Sequence, residues 1–96
     1  MAESKIKRPF KVVEKNVVLA NLTWSQSASG KYYVAYANAV TIASDVKQIV
    51  SVTITTWSSF TANLVVQPYI TGEKISFLSN AVPTGTCSMG IKVLYI

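Results

Sequence analysis

Histidine is absent from the 96 residues, which removes the commonest general base, the commonest metal ligand and every imidazole-dependent serine or cysteine triad. Cysteine is nearly absent as well. Cys87 stands alone, so it cannot close an intramolecular disulfide and the chain does not depend on an oxidising compartment. Without histidine beside it, the usual zinc ligand sets are excluded, and its expected place is that of a small buried hydrophobe. The acidic residues are four: Glu3, Glu14, Asp45 and Glu73. Two of these lie in the N-terminal stretch, so a glycosidase-like carboxylate pair would have to join Asp45 to Glu73. Both of those occupy turn positions, where capping or solvation is the ordinary job. No glycine-rich phosphate loop is present. The sequence therefore predicts a protein that is not an enzyme, with no catalytic residues, no metal site and no cofactor.

Long hydrophobic runs are missing too. Apolar stretches such as Leu64 to Val66 fall far short of the roughly 20 residues that span a bilayer as a helix. Met1 to Phe10 carries positive charge with no apolar segment behind it, unlike a secretory signal, so the expectation is a chain made in a cytoplasm and not inserted in a membrane. What is present is apolar: half of the residues are hydrophobic and 14% are charged, a balance that favours a packed chain over a disordered one. Ninety-six residues suit one domain, which buries about 65% of its unfolded surface. The net charge of +5 is uneven. Lys5, Lys7, Arg8, Lys11 and Lys15 face only Glu3 and Glu14, so residues 1–15 read as a basic arm and 16–96 as the folded domain. Such an arm can follow phosphates or dock on an acidic partner, and is more often simply solvated.

Across 16–96, short runs rich in Val, Ile, Thr, Tyr and Phe alternate with clusters of Ser, Asn, Gly and Pro, the pattern of strands joined by turns. Strands are expected at Asn16 to Trp24, Tyr32 to Ile42, Val46 to Thr56, Asn63 to Ile70, Lys74 to Ser79 and Thr86 to Ile96, with a break or bulge at Gly90. Asp45 to Gln48 could open a helical turn. Beyond it the β-branched series Ser51 to Thr56 favours a strand, with Val50, Val52 and Ile54 on one face. Tyr69 to Ile75 reads as a hairpin turning at Gly72. The expected fold class is all-β, a small β-sandwich or jelly roll with a basic N-terminal arm, and a small barrel of the OB kind is the remaining architecture.

The aromatics supply the candidate binding residues. Trp24 and Trp57 sit where strands run into serine-rich loops, where an indole can stack on a sugar or anchor a protein. An indole so placed is more often an ordinary plug at the end of a sandwich core. Tyr32 and Tyr33 are consecutive, so one of them must point away from the core of a strand. Trp57, Trp24 and Tyr32 are the ligand-binding candidates; Lys5, Lys7, Arg8 and Lys11 are the candidate attachment residues of the arm. A nucleic-acid groove would interleave aromatics with cations along its strands. The lysines beyond the arm (31, 47, 74 and 92) fall mostly at turns, which argues against one. Strands 63–70 and 91–96 are apolar on both parities, which predicts that a second copy covers one face.

Val40-Thr41-Ile42, the run Asp45 to Trp57, Gln67-Pro68-Tyr69-Ile70-Thr71-Gly72 with Ile75-Ser76-Phe77, and the ending Ile91-Lys92-Val93-Leu94-Tyr95-Ile96 together resemble the β-rich terminal domains of bacteriophage fibre and receptor-binding proteins. The resemblance spans residues 40–96 and consists of serine- and threonine-rich strands, a mid-chain tryptophan, a Tyr-x-x-Gly hairpin and a Val-x-Tyr ending. It implies a homotrimeric virion component on a tail fibre, baseplate or head fibre, in contact with other virion proteins and, through loops or clefts, with a host-surface glycan or protein. Avidity would come from several copies held together. Residues 1–39 do not read as the long N-terminal shaft of a typical fibre, which leaves open a short fibre, a capsid decoration or an accessory piece. A small carbohydrate-binding module is the alternative from a different class, and a basic OB-like nucleic-acid binder a third.

Overall fold

In a computed structural model, residues 10–58 and 63–96 are described. They form eight strands: β1 (Lys11–Val18), β2 (Trp24–Ala28), β3 (Lys31–Val34), β4 (Val40–Thr41), β5 (Ile49–Ser58), β6 (Val66–Thr71), β7 (Lys74–Ser79) and β8 (Ser88–Tyr95). Short 3-10 turns at Leu19–Asn21 and Tyr36–Asn38 complete the regular structure. The expected all-β class holds: two antiparallel sheets pack together as a small β-sandwich.

One sheet has three strands in the order β1-β8-β5. In β8, Met89, Ile91, Val93 and Tyr95 alternate onto the inner face and are buried, while Lys92 points outward. Directly opposite residues share a face, so Val17, paired with Met89, and Val13, paired with Val93, complete the inner layer on the β1 side. The second sheet is built around β7, which pairs along its whole length with β6. β3 joins at Leu78–Ser79 and β4 at Lys74–Ile75, so these two share the other edge of β7, and β2 extends the sheet beyond β3. Ile75 and Phe77 of β7 meet Ile91 and Val93 in the centre of a core that also takes in Leu19, Val34 and Cys87. Cys87 is a free, buried thiol.

Several strand expectations need correction. The N-terminal arm is shorter than 1–15: residues 11–15 are the first half of β1, in register with Ile91–Tyr95. Neither face of that half is apolar enough to announce a strand, yet every residue finds a partner on β8. The remaining arm residues, Lys5, Lys7 and Arg8 among them, lie outside the described residues. The strand expected at 32–42 is broken because the chain turns at Ala35–Ala39, where Asn38 and Ala39 amides donate to the Ala35 and Tyr36 carbonyls at 2.9 and 3.1 Å. The buried Ser76 hydroxyl donates to the Val34 carbonyl, satisfying both polar groups beside the break. The helical turn considered for Asp45–Gln48 does not form. The Lys47 and Gln48 amides instead donate to the Ile96 carbonyl at 2.7 and 3.0 Å, and the Ile96 amide donates back to Gln48 at 2.9 Å. The hairpin at Gly72 is as expected. Thr71 pairs with Lys74, Gly72 takes φ +61°, and the Tyr36 ring lies over it, 3.3 Å from where a Cβ would stand.

The irregularity expected at Gly90 lies in its partner. β8 runs unbroken through Gly90, whereas β5 advances two residues, Ile54 to Thr56, as β8 advances one, from Ile91 to Gly90. The Thr55 and Thr56 hydroxyls fill the space a side chain at residue 90 would need, with Thr55 Oγ1 2.8 Å from a Cβ placed there and Thr56 Oγ1 nearer still. A second shift between Ile49 and Ser51 puts Val50 outward, so Val50 does not share the face of Val52 and Ile54. Gly90→Ala is expected to lower unfolding free energy by about 1–3 kcal/mol, measured by urea denaturation. In a Thr55→Ala/Thr56→Ala background the same methyl should be largely tolerated.

Candidate functional site

The bulge at Thr55 determines where Trp57 points. An unbroken strand would place residues 54 and 57 on opposite faces. With the extra residue, Ile54 opposite Ile91 and Trp57 opposite Met89 lie on the same, inner face. The facing sheet does not reach them: Ile54 is 45% and Trp57 42% exposed. They form one wall of an open apolar cleft of about 200 Å³, completed by Leu64, Val65, Val66 and Met89.

Val65 also lines a second cleft of about 300 Å³ beside the turn of the β2–β3 hairpin, where Tyr32 and Leu78 add apolar surface and Lys31 and Gln67 add polar groups. Its position is held by Asn80, a residue that sequence reasoning missed. The Val65 amide donates to Asn80 Oδ1 at 2.9 Å, Asn80 Nδ2 donates to the Asn63 carbonyl at 2.7 Å, and Asn63 itself sits at φ +65°. Asparagine tolerates that left-handed conformation better than most residues do. The clamp turns Leu64 and Val66 into the core and leaves Val65 57% exposed. The only local signal for it was the pair of asparagines at the two loop ends.

The three aromatic candidates thus separate. Trp57 and Tyr32 line neighbouring clefts that meet at Val65. Trp24 does not belong with them. Its Nε1–H donates to the Leu19 carbonyl at 2.8 Å and its ring packs on the core, which is the plug role also open to it from the sequence. Comparison with family models, with curated protein sequences and with solved structures gives no significant match.

The two clefts offer apolar surface with a few hydrogen-bonding groups. Of the acids in the described residues, Glu73 accepts from the Tyr36 hydroxyl at 3.4 Å and Asp45 is paired with Lys11, so each has a separate local partner. No group of three metal-ligating side chains gathers among the described residues. No described helix is long and apolar enough to cross a membrane. Lys11, a candidate of the arm, is engaged within the fold. Its amine donates to Asp45 Oδ2 and ties the start of β1 to the 44–48 loop. The bond holds the Asp45 carboxyl below its usual 3.8 and raises the Lys11 amine above 10.5.

Two predictions follow from these placements. Trp24→Ala should cost about 3 kcal/mol of stability and Trp57→Ala about 1 kcal/mol or less, read from denaturant midpoints. The Lys11–Asp45 bond stabilises the fold where both groups are charged. A depressed carboxyl pKa contributes stability that is complete above the unfolded value and lost as pH falls through the folded one; a raised amine pKa contributes stability lost as pH rises through its folded value. The stability gap between the parent chain and Asp45→Asn should therefore hold through neutral pH and close below 3.8 and above 10.5.

Proposed function

We propose that this chain is a virion structural component of the bacteriophage fibre, receptor-binding or decoration kind, which assembles with copies of itself and contacts the host surface or a neighbouring virion protein. The observation that carries the assembly is the apolar surface left uncovered. Val50, Ile54, Trp57, Val65, Ile70 and Leu78 are among ten large hydrophobic side chains at least 40% exposed in the described residues. They lie on both sheets, in a chain with few charges to keep such surface apart from other molecules. Scattered exposed hydrophobics are ordinary, whereas contiguous ones mark interaction surfaces. The phage assignment rests on the resemblance of residues 40–96, which implies three copies.

A second reading, a small glycan-binding module, is favoured by one observation: the Tyr32 cleft sets an aromatic ring beside Lys31 and Gln67, which suits a sugar face and its hydroxyls. The OB-like nucleic-acid reading loses its architectural basis, since two packed sheets stand in place of the five-stranded Greek-key barrel it requires.

Light scattering over a dilution series tests the proposal. The expected mass is a stable multiple of 10.4 kDa, three-fold if the resemblance holds. A monomer at every concentration overturns self-assembly and moves the glycan reading forward.

A further inference from the structure

We propose that the side of the sandwich where β5 and β6 lie alongside each other is a subunit interface, and that its occupant is a second copy of this chain. This rests on the self-assembly reading above and names the surface that performs it.

The two strands are free edges. Among the described residues β5 pairs only with β8 and β6 only with β7, so each presents one row of backbone amides and carbonyls without a strand partner. Natural sheets blunt such edges with charge, proline or bulges. The edge strand β1 carries Lys11, Glu14 and Lys15. β5, at ten residues the longest strand among the described residues, carries no charge and no proline. Its two bulges flank a stretch in regular register, Ser51–Ile54, in which Val52, Thr53 and Ile54 are β-branched. On β6, Pro68 removes one donor, and the strand carries no charge to guard the edge.

Apolar surface follows the same side. Ile54, Trp57, Val65 and Ile70 are each at least 40% exposed along it. The Trp57 cleft continues through Ile54 into an open groove of about 530 Å³ between the strands, walled by Val52, Thr53, Gln67 and Pro68.

Charge selects the occupant. Residues 49–58 and 63–71 contain no Asp, Glu, Lys or Arg, although the chain has nine cations and four anions elsewhere. An acidic partner would be drawn to the lysines and gain nothing here. Two copies of a +5 chain, by contrast, repel wherever their lysines meet, and this uncharged side is where they can approach without that cost. The size is also adequate. Ten residues of strand span about 33 Å, and two sheets about 10 Å apart with their side chains give a strip some 20 Å wide, close to the roughly 800 Å² per partner of a stable interface.

The test introduces a charge on this side and, separately, on another exposed apolar position. Val65→Lys and Ile54→Lys are expected to weaken assembly by about 30-fold or more, seen as a shift toward 10.4 kDa on dilution, with circular dichroism unchanged. Val65 is the more exposed of the two, so its substitution carries the test if Ile54→Lys perturbs folding. Val12→Lys, on the outer face of the three-stranded sheet, is expected to leave the mass of the parent. Assembly that survives both β5–β6 substitutions, or that only Val12→Lys abolishes, overturns this surface while self-assembly stands. A parent chain that is monomeric throughout overturns both together.

Discussion

The pairing of β8 on both of its edges is the constraint from which the rest of the molecule follows. Because β1 and β5 both bond to it, the alternation of Met89, Ile91, Val93 and Tyr95 dictates which residues of three strands face the core. Gly90 interrupts the outward row with no side chain, and the hydroxyls of Thr55 and Thr56 occupy the gap. The extra residue that fits there turns Trp57 to the inner face, beyond the reach of the opposite sheet. One glycine in a central strand therefore places an indole on the open side of the sandwich 33 residues earlier in the chain.

The edges of the two sheets then differ in a way that bears on function. On the β1 edge, charged residues are held in register by β8, and the Lys11–Asp45 pair fastens its beginning. On the opposite side, β5 and β6 expose uncharged backbone and apolar side chains together. A chain that protected every edge would remain single. One that protects some edges and leaves an uncharged pair open offers the surface that the proposed self-assembly would use, and several copies held together would raise the affinity of weak contacts.

Fold class was legible because period-two patterning and turn chemistry are local properties: the Gly72 hairpin and β7 follow directly from residue type. The missed features depend on distant partners. β1 has no apolar face of its own in residues 11–15, and only pairing with β8 makes it a strand. The break at Ala35–Ala39 needs the Ser76 hydroxyl, 42 residues away from Val34, to satisfy the carbonyl it leaves. The candidate site was half legible. Composition singled out Trp57 and Tyr32, but the bulge that orients the first and the Asn80 clamp that sets Val65 between them leave no periodic trace. Trp24 and Trp57 have the same local context, a strand junction followed by serine, and separate only through the Leu19 carbonyl that takes the Trp24 indole proton.

Hydrogen–deuterium exchange resolved by strand, recorded at high and low protein concentration, tests the central claim most directly. Amides of β8 should be the slowest to exchange at both concentrations, as the strand bonded on both edges, while those of β5 and β6 should gain protection with concentration and those of β1 should not. Concentration-independent exchange in β5 and β6, or protection gained by β1 in their place, would contradict the account.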